Sequence, residues 1–434
     1  MGFSFLAVLV PVAMATFTPN APRGEQIISI AGGKSEVCVI PKKFVNGKYS
    51  SKDLKTEKEL CDLGNSTPVA LCAKTVSTNP AVEFYSLPQG KSAAQVEAKN
   101  CQSEDIKKLA KYKNSISCSY TPSILAYYHV SRILGGVDLV PPTVLRTLDL
   151  KTHVSIAKKG VELTARSSRD SLLNQIWSGF LRHLSNPAAS SKKNILFSDD
   201  LNQSYGALSE NPRGEEKYSE MFFEKSGGDT RAMAFKKRSP IYRLLGIQKP
   251  LREIVDNQWL AKNVQVVQQM KDVSEMILMD AMLTQEDRFG NIHYKLAYLF
   301  KNGSEVQKKN KLDESEVRSL DAVKIKMMML KDNDCGVNRG NNSAKEAGLL
   351  DGIYHLNQET YTRLQNLNRE LQKESSKEFF MKETMMDAND FHKFEESTES
   401  VARRLHSSCR EGKLRLDLDM DSHFLNAPIS QNCD

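Results

Sequence analysis

The sequence predicts an α+β chain of two lobes, a small β-rich N-terminal lobe and a larger helical C-terminal lobe. Three observations predict it. The stretch AVEFYSLPQGKSAAQVEAK alternates around Pro88-Gln89-Gly90 as a hairpin does. Beyond residue 170 apolar residues recur at helical spacing, first at Leu172, Leu173, Ile176, Trp177, Phe180 and Leu181. Between Asp272 and Gly336 a buried helix and a buried strand each run into acids, DVSEMILMDAMLTQEDR into Asp287 and VKIKMMMLKDNDCG into Asp332 and Asp334. At 434 residues with 40% hydrophobic side chains, the chain can bury the core of one two-lobed domain or of two ordinary ones.

The first residues, MGFSFLAVLVPVAMA, carry no charge, are too short an apolar run to span a bilayer, and end in the small-residue pattern Ala13-Met14-Ala15. This fits a signal peptide over residues 1–15, with a buried first strand or helix as the alternative. No later stretch is long and apolar enough to predict a membrane span. Eight cysteines, without a CxxC pair or a close Cys/His cluster, suit disulfides in an oxidising compartment, so the chain reads as secreted or periplasmic. Cys335 fits a bridge or a small buried thiol. Sixty Lys and Arg against 53 Asp and Glu give +7, but the charges are mixed along the chain, and no nucleic-acid partner is expected.

Residues 16–80, rich in Lys, Ser, Thr and Asn with short runs such as VCVIP and PVALCA, read as a disulfide-tied N-terminal extension with a few strands. Residues 81–170 form the first lobe. Its hairpin ends at Lys99; a helix follows with an apolar face of Ile124, Tyr127, Tyr128, Val130, Ile133 and Leu134, ended by Gly135-Gly136, and VPPTVLR continues extended. Residues 171–434 form the second lobe, opening with an amphipathic helix in which Trp177 and His183 are packing and capping groups. An insertion at about 187–240 is loop-rich, with a turn at Asn211-Pro212-Arg213-Gly214 and a solvated basic run at Lys236, Lys237 and Arg238. LAYLFKNGSEVQKK predicts a strand and an Asn302-Gly303 turn, NRGNNSAKEAGLL a mobile polar segment, and Tyr361, Leu364, Leu367 and Leu371 a helix.

The two acid-bearing elements suggest chemistry. Metal-assisted phosphoryl transfer needs one carboxylate to orient or deprotonate the attacking hydroxyl, then an Asp and a further oxygen to hold a divalent ion on the phosphates. Asp287, followed by Arg288 and Asn291, suits the first role; Asp332 and Asp334 suit the second. A calcium loop is excluded, because the remaining ligands and the final glutamate do not follow Asp332 at the required positions. His293 reads as a structural donor.

YTPSILAYYHVSRILGGVDLVPPTVLR resembles the small-lobe helix and strand of the secretory-pathway kinases, the Golgi casein kinase and four-jointed group. The resemblance extends to Asp280, seven residues before Asp287-Arg288, and to the apolar strand leading into Asp332-Asn333; it covers roughly residues 80–345. It implies a protein-kinase-like fold that binds ATP with Mg²⁺ or Mn²⁺ and phosphorylates a hydroxyl of a protein or glycan acceptor. It further implies Asp287 and Arg288 as the catalytic pair, and Lys99 and Gly90 as nucleotide-phosphate contacts. Asn291 would serve both phosphate and metal. Asp332 matches the family's Asp-Asn step, while Asp334-Cys335-Gly336 imitates the Asp-Phe-Gly turn of ordinary protein kinases, so both stand as metal ligands. The chain departs from the pattern where Ser123 replaces the helix glutamate that pairs with the lysine, leaving Glu97 or Glu104 for that task, and where Asn291 follows Asp287 by a shorter interval. A pseudokinase binding module and an AMP transferase on the same fold are the alternative functions.

Overall fold

The computed structural model describes residues 26–29, 36–102, 105–136, 138–165, 171–190, 196–225, 229–337, 348–429 and 431–434. The signal-peptide reading of residues 1–15 and most of the polar segment after Gly336 lie outside them. The architecture is the two-lobed α+β fold the sequence predicts.

The small lobe is built on a seven-stranded antiparallel sheet. Its strands are β1 (Gln26–Ser29), β2 (Val37–Ile40), β3 (Val69–Ala73), β4 (Val82–Ser86), β5 (Lys108–Lys113), β6 (Thr143–Asp149) and β7 (Gln203–Glu210), in the order β1-β2-β6-β7-β5-β4-β3. Helix α1 (Ser51–Asp62) starts at a capping box between Ser50 and Asp53 and is bridged to β2 by Cys38–Cys61. Helix α2 (Ala93–Ala98) is short, and Cys72–Cys101 ties the loop after it to β3. Helix α3 (Thr121–Leu134) has Pro122 in its first turn and Gly135 in the left-handed conformation at its end. All its residues are buried, because the sheet packs on one side and the large lobe on the other. Helices α4 (Leu150–Thr164) and α5 (Ser171–Ser185) cover the opposite face, where Trp177 and Phe180 share a core with Phe84, Tyr112 and Val144. Gly206 of β7 leaves room for the Tyr112 ring; a Cβ there would stand 2.4 Å from it.

These pairings correct the expected boundaries. The described part of the segment 16–80 is no appended extension, because β2 and β3 are hydrogen-bonded into opposite halves of one sheet. Helix α5 packs in the small-lobe core, and β7, from the expected insertion at 187–240, lies between β6 and β5 with partners on both sides. The small lobe therefore runs to about Glu210. The expected hairpin is also corrected: after β4 the chain forms α2, since Ser92 and Gln95 cap each other reciprocally and AAQVEA favours a helix.

After the one-turn helix α6 (Pro187–Ser190) of the small lobe, the large lobe begins with the two residues of β8 (Glu216–Lys217). Three short helices, α7 (Arg231–Arg238), α8 (Pro240–Leu245) and α9 (Leu251–Ile254), lead into α10 (Ala261–Met282), the apolar centre of the lobe. A second sheet has β9 (Ile292–Asn302) flanked by β11 (Val323–Leu330) on one side and by β8 and β10 (Glu305–Lys309) on the other. Helix α11 (Glu314–Ser319) separates β10 from β11. Helices Gln358–Leu371, Glu374–Thr384 and Ala388–Arg410 complete the lobe, the first burying Tyr361, Leu364, Leu367 and Leu371 as expected. Four disulfides use all eight cysteines. No described helix is long and apolar enough to cross a membrane.

Candidate functional site

Alternation along β5 sends Ala110 and Tyr112 into the core and Lys111 and Lys113 to the other face, toward the turn that follows β11. Lys111 pairs with Asp332. Lys113 reaches Asp332 Oδ1 at 2.9 Å and Asp334 Oδ2 at 2.6 Å. The two acids are not equivalent. Asp332, with its backbone in the left-handed region (φ 51°), lines the cleft between the lobes, whereas Asp334 is buried behind it and also accepts from Asn79 Nδ2 at 3.3 Å.

Burial alone would raise the Asp332 carboxyl, but Lys111, Lys113 and Lys74 hold it well below the usual carboxylate range. Burial pulls the Lys111 ammonium down to about 7 against the attraction of Asp332. For Lys113 burial acts in the same sense, but the two carboxylates outweigh it and hold that ammonium above the ordinary lysine range.

The second half of the site comes from the loop between α10 and β9. Asp287 is half exposed, and Asn291 folds back on it, donating from Nδ2 to the Asp287 carbonyl at 2.8 Å. Arg231 Nη1 stands 3.8 Å from the Asp287 carboxylate. Arg288 points the other way and is fully buried. Its guanidinium takes both oxygens of Asp280 at 2.9–3.1 Å, donates to the Lys331 carbonyl at 3.1 Å and to Asn333 Oδ1 at 2.7 Å, and lies over the Tyr127 ring. Tyr127 donates to the same Asp280 at 2.7 Å. This clamp ties the Asp287 loop to the Asp332 turn, with the Arg288 guanidinium buried among its partners.

Helix α3 secures the turn from the small-lobe side. Ser123 Oγ donates to the Asn333 carbonyl at 2.7 Å, and Cys118–Cys335 joins the loop after β5 to the turn. Gly336 is needed here, since a Cβ would lie 2.6 Å from the Leu283 carbonyl and 2.8 Å from Ser123 Oγ. Cys335 is thus a bridge and not a free thiol.

The cleft is narrow, with a cavity volume of about 30 Å³. Ile124, Val140, Pro141, Ala207 and Leu330 make its apolar wall; Lys111, Lys113, Asp332 and Asn333 make its polar end. Its lining thus joins an apolar face to a cluster of fixed charges. Lys99 and Gly90 are not brought to it. Lys99 caps α2 and borders a separate surface hollow with Lys91 and Gln95, and Gly90 sits in the turn before that helix with open space around its α-carbon. The strand that was expected to carry Lys99 inward does not form. Sequence reasoning missed Lys111 and Lys113; the signal was KLAKYK, whose last two lysines share a face opposite Ala110 and Tyr112.

Among the described residues no three His, Cys, Asp or Glu side chains converge to hold a metal alone. Mg²⁺ commonly binds through one or two carboxylates and substrate phosphates. Asp332 fits that pattern: both lysines reach Oδ1, and the carboxylate has a second oxygen. Asp334 fits it less well because it is buried, and Asn333 because its Oδ1 accepts from Arg288.

No protein-family model matches the chain, and no curated protein does. Among solved structures it is similar to a crystal structure of the Golgi casein kinase with Mn/ADP bound, at 13% identity over 82% of this chain and 76% of that one, with a TM-score of 0.46.

Proposed function

We propose that this chain is a secreted or periplasmic phosphotransferase that moves the γ-phosphate of ATP to a hydroxyl on a protein or glycan acceptor. The observation that supports it best is the meeting of Lys111 and Asp332 on the wall of a half-apolar cleft, clamped through Arg288 to the loop that presents Asp287. In this reading the apolar wall takes the base and Lys111 exchanges part of its pairing with Asp332 for phosphate oxygens. Asp332 would hold Mg²⁺ or Mn²⁺, which supplies neutralisation of the charge on the phosphates. Asp287, open to solvent, accepts the proton of the acceptor hydroxyl. Asn291, through the Asp287 carbonyl, and Arg288, through the Lys331 carbonyl, hold the loop that carries that carboxylate. The four disulfides agree with an oxidising compartment.

One observation favours a second reading, a nucleotide-binding module without transfer. Helix α3 offers Ser123, not an acid, and its hydroxyl is used on the Asn333 carbonyl. The acid that anchors Lys113 comes instead from the large lobe, as Asp334. The test is transfer from ATP labelled on the γ- or the α-phosphate, in wild type and Asp287→Asn. The variant is expected to keep its ATP affinity and to lose γ-phosphate transfer by about a hundredfold or more. Equal transfer by the variant removes Asp287 from the mechanism; bound ATP without transfer in wild type establishes the binding module. Label arriving only from the α-phosphate establishes AMP transfer.

A further inference from the structure

The loop that presents Asp287 carries one cation of its own, Arg288, and its charge is spent inward on Asp280 and the Asp332 turn. A second guanidinium reaches the exposed side of the loop from another element. Thr230 caps α7, its hydroxyl accepting from the Met233 amide at 3.2 Å, and so sets Arg231 in the first position of that helix. The Arg231 guanidinium lies over the Phe222 ring at 5.6 Å, donates from Nη1 to the Phe289 carbonyl at 3.3 Å and stands 3.8 Å from the Asp287 carboxylate. Gly290, at φ 127°, leaves it room, since a Cβ there would stand 3.0 Å from Nη1.

Stability does not account for this placement. The Arg231–Asp287 pair is 42% and 53% exposed and longer than a hydrogen bond, and such a pair contributes little to folding. A guanidinium has five N–H groups; among the described residues Arg231 uses Nη1 on a carbonyl, which leaves a fork of donors beside Asp287. Other cations are matched elsewhere. Lys237, on the same helix, pairs with Asp229 at 2.8 Å, and Lys331, beside the clamp, pairs with Glu215; Lys217 shares the Phe222 ring at 4.6 Å.

We propose that Arg231 is a further catalytic residue, one that binds the non-bridging oxygens of the γ-phosphoryl group while it is transferred. This rests on the phosphotransferase reading and names the cation that acts on the group in flight. In the step, the acceptor oxygen forms its bond to the γ-phosphorus as the bond from that phosphorus to the β–γ bridging oxygen breaks. ADP leaves with that electron pair, and the hydroxyl proton passes to Asp287. Arg231 gives up no proton; its N–H groups exchange the long contact with Asp287 for the charge spread over the equatorial oxygens.

The experiment pairs a transition-state mimic with transfer. Calorimetric titration of the oxidised full chain with ADP and Mg²⁺, with and without aluminium fluoride, measures the gain in affinity from a planar phosphoryl mimic, and transfer from γ-labelled ATP gives the rate. Arg231→Gln is expected to abolish the gain and to lower kcat about a thousandfold, with ADP affinity unchanged and the fold thereby shown intact. Arg231→Lys, which keeps the charge without the fork, should recover part of both. Lys237→Gln, the same loss of charge elsewhere on α7, should behave as wild type. A gain in Arg231→Gln equal to that of wild type overturns the inference and leaves the proposed function standing. Faster transfer by Arg231→Gln also overturns it, because the guanidinium would then be a cover on Asp287. A wild type that binds ADP without any gain from aluminium fluoride overturns the transfer reading, and the inference with it.

Discussion

The Arg288 clamp can be tested by removing one side of it. Arg288→Met keeps an unbranched apolar stem of similar reach but strips Asp280 of the three guanidinium contacts at 2.9–3.1 Å, leaving a carboxylate with 2% exposure and only the Tyr127 hydroxyl on it. Breaking a buried ion pair by deleting one partner costs about 3–5 kcal/mol, mostly because the survivor keeps its desolvation penalty. Two further hydrogen bonds, to the Lys331 carbonyl and Asn333 Oδ1, go with it, so the upper half of that range is expected. Denaturant unfolding under non-reducing conditions measures the loss. The companion Asp280→Asn removes the opposing charge, and the double variant is expected to be less destabilised than the sum of the two singles by at least ~2 kcal/mol. A single-variant loss below ~1 kcal/mol, or strict additivity, would refute the clamp. Where the variant still folds, transfer should fall with stability restored by cooling, because the Asp332 turn is no longer held to the Asp287 loop.

Three other outcomes follow from the same structure. Gly336→Ala should abolish nucleotide binding at a modest stability cost, since the new methyl must displace the Leu283 carbonyl or Ser123; normal ATP affinity by calorimetry would show that the turn can give way. His129 and His153 are fully buried, and burial drives both down to about 3. The folded chain therefore keeps them neutral while the unfolded chain takes up protons below about 6.5, so their contribution is complete above that pH and is lost as the pH falls. At pH 5 each should lower stability by about 2 kcal/mol relative to neutrality, read as the difference between wild type and His153→Gln because Asp272, raised by burial to about 7, works in the opposite sense; a difference that stays flat from pH 7 to 5 would contradict this. Replacing Cys118 and Cys335 together by Ala opens a loop of 217 residues. The chain-entropy argument gives a loss of about 5 kcal/mol, read by unfolding of the purified variant against wild type; no change would mean the unfolded chain gains little freedom.

The sequence announces the large-lobe half of the site more clearly than the small-lobe half, for physical reasons. Helix α10 and strand β11 are long apolar runs that stop at acids, and such a run must end where the chain leaves the core. Which acid faces the cleft was not legible, because it depends on Lys113, Asn79 and the Cys118 bridge, all distant in sequence. In the small lobe, AAQVEA alternates well enough to pass for a strand, and only the reciprocal Ser92–Gln95 cap decides for a helix. Strand β7 carries Gly206 and polar residues and gives little local signal. Its position is fixed by pairing with β6 and β5, and by a Tyr112 ring that only a glycine opposite can admit.

The placement of β7 also sets a schedule for the growing chain. During synthesis β5 and β6 emerge with a vacant lane between them, which stays open until residues 203–210 have left the ribosome. At about 5–20 residues per second, the sixty-odd residues from β6 to β7 hold that lane open for several seconds. Cys38, Cys61, Cys72 and Cys101 can pair in that interval, whereas Cys118 waits for Cys335. A nascent chain arrested before residue 203 should therefore carry an accessible Cys118 thiol and two unsatisfied strand edges, a natural substrate for chaperones and oxidoreductases. Thiol labelling of arrested chains of increasing length would show Cys118 becoming protected only once residue 335 has emerged.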